Sequence, residues 1–197
     1  ATARATVTAV AELEATVGHH LVTRVDQTLG ALVADLGSTD AGVAIRTHGD
    51  LHLGQTVVGP DGWVILDFEG EPARTIEERR RHHPALRDVA GLLRSLSYAA
   101  ETVRRAGGDR LTDGWEPAAR AALLDGYLAT VDPSLVPASA AATVSLLSLF
   151  EVEKAVYEIS YELAHRPDWV HLPVTGLARV AHRLDRHGRN QRGAVGR

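Results

Sequence analysis

The chain has 197 residues and a net charge of −4, which suits one ordinary domain and argues against a nucleic-acid-binding protein. It contains no cysteine, so disulfides and thiolate metal sites are excluded, and no apolar run approaches the ~20 residues that span a bilayer. We therefore expect a cytoplasmic globular protein that binds neither nucleic acid nor a membrane.

The N-terminal part predicts one long helix over residues 5–36, because apolar residues recur at three- and four-residue steps. The positions are Val7, Val10, Leu13, Val17, Leu21, Val25, Leu29, Leu32 and Leu36. Gly18 weakens the pattern and predicts a break there. A loop follows at 37–42, and residues 43–45 predict a short strand.

A hairpin is predicted next, because the β-rich runs 56–58 and 63–66 flank the turn sequence Gly-Pro-Asp-Gly at 59–62. Helical patterns then dominate the chain. They cover residues 84–105, 116–130, 138–165 and 174–187. The sequence thus predicts a mainly α fold with a small β-hairpin, in one domain over 1–187, followed by a flexible tail over 188–197.

The open end of this hairpin gathers oxygen ligands. With the turn at residues 60–61, antiparallel pairing places Gln55 opposite residue 66, so Gln55 and Asp67 share one end. Asp50 lies five residues before Gln55. An amide oxygen and a carboxylate suit Mg²⁺, and a second carboxylate nearby can take a proton from a hydroxyl.

The segments that carry these residues resemble a known family. The string "HGDLHLGQ" parallels a kinase catalytic loop, and "DFEG" parallels the metal-binding D-F-G motif. The Gly after His is similar to the aminoglycoside-phosphotransferase-like branch of the protein-kinase-like superfamily. Within it, residues 46–100 and 150–174, including "FEVEKAVYEISYELAHRPDWVHLPV", resemble bacterial maltokinases.

The resemblance implies a reaction and a role for each matching residue. Maltokinases phosphorylate maltose at the anomeric hydroxyl with ATP and Mg²⁺. Asp50 would be the catalytic base. The implied metal ligands are Gln55, Asp67 and Glu69, and the implied structural supports are His48, Arg87 and Asp88. Glu69 is included among the metal ligands because its side chain would point to the same side as that of Asp67 if the strand continued.

The helix over 143–165 has an apolar stripe and an opposite polar stripe. Val152, Val156, Ile159 and Leu163 form the apolar one. From the residues alone, a solvated polar face is the simpler interpretation, whereas the resemblance favours a sugar site. The implied substrate contacts are His52, Glu151, Lys154, Tyr157, Glu158, Tyr161 and Trp169.

Kinases of this kind also need a lobe that covers ATP and supplies a lysine to its phosphates. The single lysine, Lys154, follows the catalytic motif by about a hundred residues, and residues 1–45 contain neither a lysine nor a Gly-rich loop. The chain also lacks methionine, even at position 1. We therefore expect only the C-terminal lobe of a longer kinase, inactive alone, with ATP bound through a missing N-terminal lobe.

Two alternatives remain open. The first is a glucosamine kinase, or another sugar kinase of the same superfamily. The second is a non-enzymatic lobe that binds sugar, or a partner such as trehalose synthase.

Overall fold

Helices dominate the part of the chain that the computed structural model describes, which is residues 13–36, 41–72, 74–108 and 114–195. The helices are α1 (Glu14–Val17), α2 (His19–Leu36), α3 (Ile76–Arg80), α4 (Leu86–Arg105), α5 (Trp115–Thr130), α6 (Ala140–His165) and α7 (His171–Val195). The strands are β1 (Ala44–Ile45), β2 (Thr56–Gly59), β3 (Gly62–Ile65) and β4 (His83–Pro84), and short 3-10 turns cover Leu53–Gln55, Pro133–Leu135 and Pro167–Trp169. None of the helices described is both long enough and apolar enough to cross a bilayer.

The chain divides into two compact units. The central unit is Asp40–Thr143, and the terminal unit combines Ala1–Thr39 with Val144–Arg197. In the central unit α4 packs against α5, whereas in the terminal unit α2 packs against α7.

The central unit contains two small antiparallel sheets. β2 and β3 form the predicted hairpin, paired from Thr56↔Ile65 to Gly59↔Gly62 around the two-residue turn. The hairpin exposes apolar side chains, with Val58 at 71% and Trp63 at 72% relative exposure. β1 pairs with β4, and this pairing places Pro84 in a strand. The following helix therefore begins at Leu86, two residues after the predicted start at Pro84.

Helix α4 supports the candidate site. Leu86, Val89, Leu93 and Leu96 are buried at three- and four-residue spacing, as the periodicity predicted. Each such side chain contributes about 1.5–3 kcal/mol when it leaves water. Arg120 of α5 donates from Nη1 to the Leu93 carbonyl at 2.8 Å. These contacts make α4 a rigid platform.

The short helix α3 was missed in the sequence. Its N-cap is Thr75, whose Oγ1 accepts from the Glu78 amide at 3.3 Å, while the Glu78 carboxylate accepts from the Thr75 amide at 2.9 Å. This is a complete capping box, and the spacing Thr-x-x-Glu signalled it. The helix has only five residues, too few for a detectable apolar period.

The terminal unit confirms the predicted break at Gly18, whose φ of 83° separates α1 from α2. Val25 and Leu29 of α2 are buried. Positions 7 and 10 of the predicted stripe lie outside the described residues.

The last helix is longer than predicted. α7 begins at His171, because Pro173 is tolerated in the first turn of a helix. The helix continues to Val195, so residues 188–195, predicted as flexible tail, are helical. Gly188 and Gly193 cost about 1 kcal/mol each but do not end a helix, as a proline would. Residues 196–197 lie outside the described part.

The apolar stripe of α6 is shifted at its end. Val152, Val156 and Ile159 are buried as predicted, but Leu163 is exposed. Glu162 is buried in its place. Its carboxylate is neutralised by the guanidinium of Arg166, with N–O distances of 2.6 and 2.9 Å.

Candidate active site

The loop at residues 48–50, called here the HGD loop, is held by a carboxylate of α4. The backbone amide of His48 donates to Asp88 Oδ2 at 2.7 Å, and that of Gly49 donates to Oδ1 at 2.9 Å. The φ of Gly49 is 86°, which favours glycine because it lacks a Cβ. Asp88 therefore lies where the resemblance puts a loop anchor. Its neighbour Arg87 instead contacts the ring of His83, with Nη1 3.1 Å from Nδ1.

His48 links the HGD loop to the end of the hairpin. Its buried ring places Nδ1 3.3 Å from the amide of Asp50 and Nε2 2.7 Å from the carbonyl oxygen of Leu66. Because an amide can only donate, Nδ1 must accept, so the proton of the neutral ring lies on Nε2 and is donated to Leu66. The ring of Phe68 packs beside it, with centroids 4.8 Å apart. The backbone of Asp50 is thus fixed relative to the strand that leads to Asp67.

Gln55 and Asp67 meet at the open end of the hairpin. The Leu66 amide donates to the Gln55 carbonyl at 2.9 Å, which extends the pairing one step beyond β2 and β3. The side-chain amide of Gln55 then donates to Asp67 Oδ2 at 2.9 Å. The structure therefore brings together the two residues that the register predicted as neighbours.

Asp67 has a left-handed backbone. Its φ of 59° is the only positive value at a non-glycine position among the described residues. Aspartate tolerates this region better than most residues, yet the conformation still costs of the order of 1 kcal/mol. Strain of this kind persists where the surrounding contacts fix it, and it is typical of functional positions.

The premise that would place Glu69 beside Asp67, a continuing strand, does not hold. The strand β3 ends at Ile65, and Asp67 then leaves the extended conformation. Glu69 lies in a turn with an exposed side chain, so strand alternation does not place it beside Asp67. Its carbonyl accepts a hydrogen bond from Arg79 Nη1 at 3.5 Å.

His52 has a local structural role in this geometry. It is the N-cap of the 3-10 turn at Leu53–Gln55, and its Nδ1 accepts from the Gly54 amide at 3.0 Å. A Cβ at Gly54 would lie 2.8 Å from the imidazole ring, so the glycine makes this cap possible. The predicted substrate contact for His52 has no support from these contacts.

Two supporting residues of α4 were missed by sequence reasoning. Gly91 packs directly under the loop, since a Cβ there would lie 2.3 Å from the carbonyl oxygen of Leu51. Ser95 accepts from the Leu53 amide at 3.1 Å. A glycine in the middle of a helical pattern was the available signal, because such a glycine often marks a close backbone approach.

The donor set at the hairpin end fits Mg²⁺ in part. Gln55 and Asp67 offer one amide oxygen and one carboxylate, and Mg²⁺ is commonly held by one or two protein carboxylates with phosphate and water completing its shell. The Gln55 amide would have to turn its oxygen toward the ion, because its nitrogen faces Asp67 here. Across residues 13–36, 41–72, 74–108 and 114–195, no three histidine, aspartate or glutamate side chains group as a metal cage.

Apart from His52, the predicted sugar contacts lie in the terminal unit. Glu151 is buried and paired with Arg183, so it serves the core rather than an open site. The sugar contact predicted for Glu151 has no support from this pairing. Lys154 Nζ lies 4.8 Å from the centroid of the Tyr157 ring, which packs 6.4 Å from that of Tyr161.

The aromatic stripe continues along α6. The ring of Tyr161 stacks on His165 with centroids 4.3 Å apart. The Arg166 guanidinium lies over both Tyr161 and Trp169, at 5.8 and 5.3 Å from their centroids. Glu158 is half-buried on the same helix. These groups retain an accessible polar and aromatic surface, as a sugar site needs.

Comparison with known proteins points to one kind of sugar kinase. No family model matches the chain. It is 29% identical over 147 residues to the glucosamine kinase of Streptacidiphilus jiangxiensis, covering 73% of this chain and 33% of that protein. It is 28% identical over 183 residues to the glucosamine kinase of Mycolicibacterium smegmatis (strain ATCC 700084 / mc(2)155), covering 87% of this chain and 43% of that protein.

A solved structure of glucosamine kinase in complex with glucosamine, ADP and inorganic phosphate has a TM-score of 0.74 and 25% identity to the chain. The match covers 93% of this chain and 47% of that one. The chain therefore spans between a third and a half of the length of these proteins. The similarity is to sugar kinases, as the motifs indicated, and it favours the glucosamine alternative over maltose.

Proposed function

We propose that the chain is the catalytic lobe of an ATP-dependent sugar kinase, with glucosamine as the favoured acceptor. The observation that carries the proposal is the contact between Gln55 and Asp67, at residues that follow the spacing of kinase catalytic motifs together with Asp50. The Asp50 amide donates to His48, and the HGD loop is held by the His48 and Gly49 amides, which donate to Asp88. The similarity to two glucosamine kinases supports it independently.

The residues divide the work of phosphoryl transfer between them. Asp50 accepts the proton of the sugar hydroxyl, a contribution worth ~10²–10⁴-fold in rate. Gln55 and Asp67 would hold Mg²⁺ through their side-chain oxygens. The ion, when bound, supplies charge neutralisation at the nucleotide phosphates. His48 and Asp88 restrict the loop, which keeps the base in one orientation before substrate arrives.

The choice of sugar rests on the comparisons, and maltose remains the second candidate. The motif resemblance at 46–100 and 150–174 is the only support for maltose, and trehalose synthase as a partner depends on it alone. Glucosamine carries an amino group that is cationic when protonated, so its site needs a carboxylate. Glu158 on α6 is the partly accessible acid that lies among the aromatic groups.

Nucleotide binding needs more than these residues provide. The one lysine, Lys154, lies in the terminal unit, over an aromatic ring. We therefore assign the remaining phosphate contacts to a further lobe, in keeping with the greater length of the relatives. Phosphoryl transfer belongs to the complete kinase.

The metal site can be tested on this chain with Mn²⁺ as a paramagnetic substitute for Mg²⁺. We expect Mn²⁺ to broaden the NMR signals of Gln55 and its neighbours, and Asp67→Asn to weaken that effect. Asp61→Asn is the matched control, because Asp61 lies at the exposed turn of the same hairpin. Equal broadening in the wild type and in Asp67→Asn would refute the site.

The acceptor can be tested by titration with glucosamine and with maltose, following the signals of Tyr157 and Tyr161. We expect glucosamine to shift these signals in the wild-type chain and not in Glu158→Gln. Shifts with maltose alone would support the second candidate. In a form that includes the nucleotide lobe, Asp50→Asn is expected to lower turnover by ~10²–10⁴-fold with little change in sugar affinity. Turnover within a few-fold of wild type would show that Asp50 is not the base.

A further inference from the structure

We propose that Arg79 is a positioning residue: it sets the backbone that follows Asp67 and, through Gly70, supports the HGD loop at Gly49 and Asp50. This inference deepens the proposed function and rests on it, because the loop matters for catalysis only if Asp50 is the base.

The guanidinium of Arg79 binds three backbone carbonyls of one short segment. Its Nε donates to Arg74 at 3.0 Å, its Nη2 to Pro72 at 2.9 Å and its Nη1 to Glu69 at 3.5 Å. Among its described residues, 69–72 and 74, none belongs to a helix or strand that would satisfy these acceptors. Arginine alone offers a planar fork with five donors, so one side chain can hold both ends of the segment.

The stem of Arg79 continues this contact toward the HGD loop. A Cβ at Gly70 would lie 3.4 Å from Cβ and Cγ of Arg79, so the arginine stem packs against the glycine backbone. On the other side, a Cβ at Gly49 would lie 3.4 Å from the Gly70 Cα. Both glycines have positive φ, at 79° and 86°. Arg79, Gly70 and Gly49 therefore approach one another closely in turn, and this series of residues, called here the column, ends one residue from Asp50.

Helix α3 gives the column a fixed base. Its capping box, formed by Thr75 and Glu78, holds the helix in place despite its length of five residues. Arg80 on the same helix and Arg81, just after its end, are exposed, and the Arg81 side chain makes a surface ion pair with Glu77 at 3.3 Å. Arg79 is thus distinguished from its neighbours by its contacts, which makes the neighbours suitable controls.

Amide hydrogen exchange of the 197-residue chain tests the column directly. The Gly49 amide is protected by its bond to Asp88, and the Asp50 amide by its bond to His48. In Arg79→Ala we expect exchange at both amides to become roughly tenfold faster, as the loss of one or two hydrogen bonds would produce. Arg80→Ala, with the same change of charge on the same helix, should leave both amides unchanged.

A second readout separates positioning from a purely local role. Mn²⁺ affinity at Gln55 and Asp67 should fall about tenfold in Arg79→Ala, the lower end of the ~10–100-fold effect expected when supports of a metal site are removed. Arg79→Lys keeps the charge and most of the stem but not the fork, so it should recover only part of the loss. It also serves as the milder variant if Arg79→Ala does not fold.

The outcomes distinguish this inference from the proposed function. Faster exchange confined to residues 69–74, with Gly49 and Asp50 unchanged, would overturn the role of Arg79 and leave the kinase proposal standing. If Arg79→Ala speeds exchange at Gly49 and Asp50 but the wild-type chain binds no Mn²⁺, the role of the column is supported and the metal site is refuted.

Discussion

Replacing Asp88 is the sharpest test of how the HGD loop is held. In Asp88→Ala the amides of His48 and Gly49 lose acceptors at 2.7 and 2.9 Å. Hydrogen bonds to a charged group contribute about 1.5–3 kcal/mol each. Water can reach this partly buried loop and recovers some of that loss, so we expect the free energy of unfolding to fall by about 2–4 kcal/mol. That is a large share of the ~5–15 kcal/mol typical of a domain.

Asp88→Asn refines the test because an amide keeps only one acceptor oxygen. In Asp88→Asn we expect the free energy of unfolding to fall by about half as much as in Asp88→Ala, because the amide nitrogen would face one of the two backbone donors. Urea denaturation followed by circular dichroism measures both variants, and an unchanged dependence on denaturant would confirm that the unfolded state is unaffected. Asp125→Ala, at an exposed carboxylate of α5, is the control. A loss of less than ~0.5 kcal/mol in Asp88→Ala, typical of surface changes, would refute the reasoning.

The other predictions concern single positions. Gly91→Ala should destabilise the chain by about 1–3 kcal/mol, because its Cβ would lie 2.3 Å from the Leu51 carbonyl oxygen. Gly126→Ala, whose Cβ would meet nothing within 4 Å, should instead stabilise the chain by about 0.5–1 kcal/mol, and equal effects of the two variants in thermal unfolding would contradict this. Burial, aided by the neighbouring guanidinium, lowers the pKa of His83 to about 4, below the value of about 6.5 in the unfolded chain. Stability is therefore full above pH ~6.5 and should fall toward pH 4, by about 1 kcal/mol after allowance for solvent screening, and His83→Gln should flatten that slope. Asp67→Gly should leave stability unchanged or raise it by about 1 kcal/mol while abolishing Mn²⁺ binding; a clear loss of stability would show that the backbone there is unstrained.

The contact of Gln55 with Asp67 could be predicted because hairpin register follows from the turn. Once Pro60 and Asp61 are placed at the turn, the side chains at the open end are determined by counting. The apolar face of α4 could be predicted for the same reason, since a helical period is a local property of the sequence. Both predictions depend on residues close together in the chain.

The missed features depend on contacts between distant segments. Gly91 lies under the loop only because α4 packs there. A local sequence pattern does not indicate which distant backbone segment will approach a glycine closely. Glu69 was misplaced because a single left-handed residue, Asp67, ends the alternation of the strand. Glu151 was expected in an open site, but its partner Arg183 lies 32 residues away, on another helix. Tertiary packing decided each of these.

The exposed hairpin has a consequence for the colloidal behaviour of the chain. Trp63 of the hairpin and Phe68, just after it, are 72% and 60% exposed, and within the part of the chain that the structure describes neither strand of this two-stranded ribbon pairs with a third strand. Apolar surface beside open strand edges favours association between copies. Electrostatic repulsion opposes that association, and it vanishes near the isoelectric point of about 6.2. Solubility should therefore be lowest just below neutral pH and should improve in alkaline buffers of low ionic strength, where the negative charge grows and is least screened.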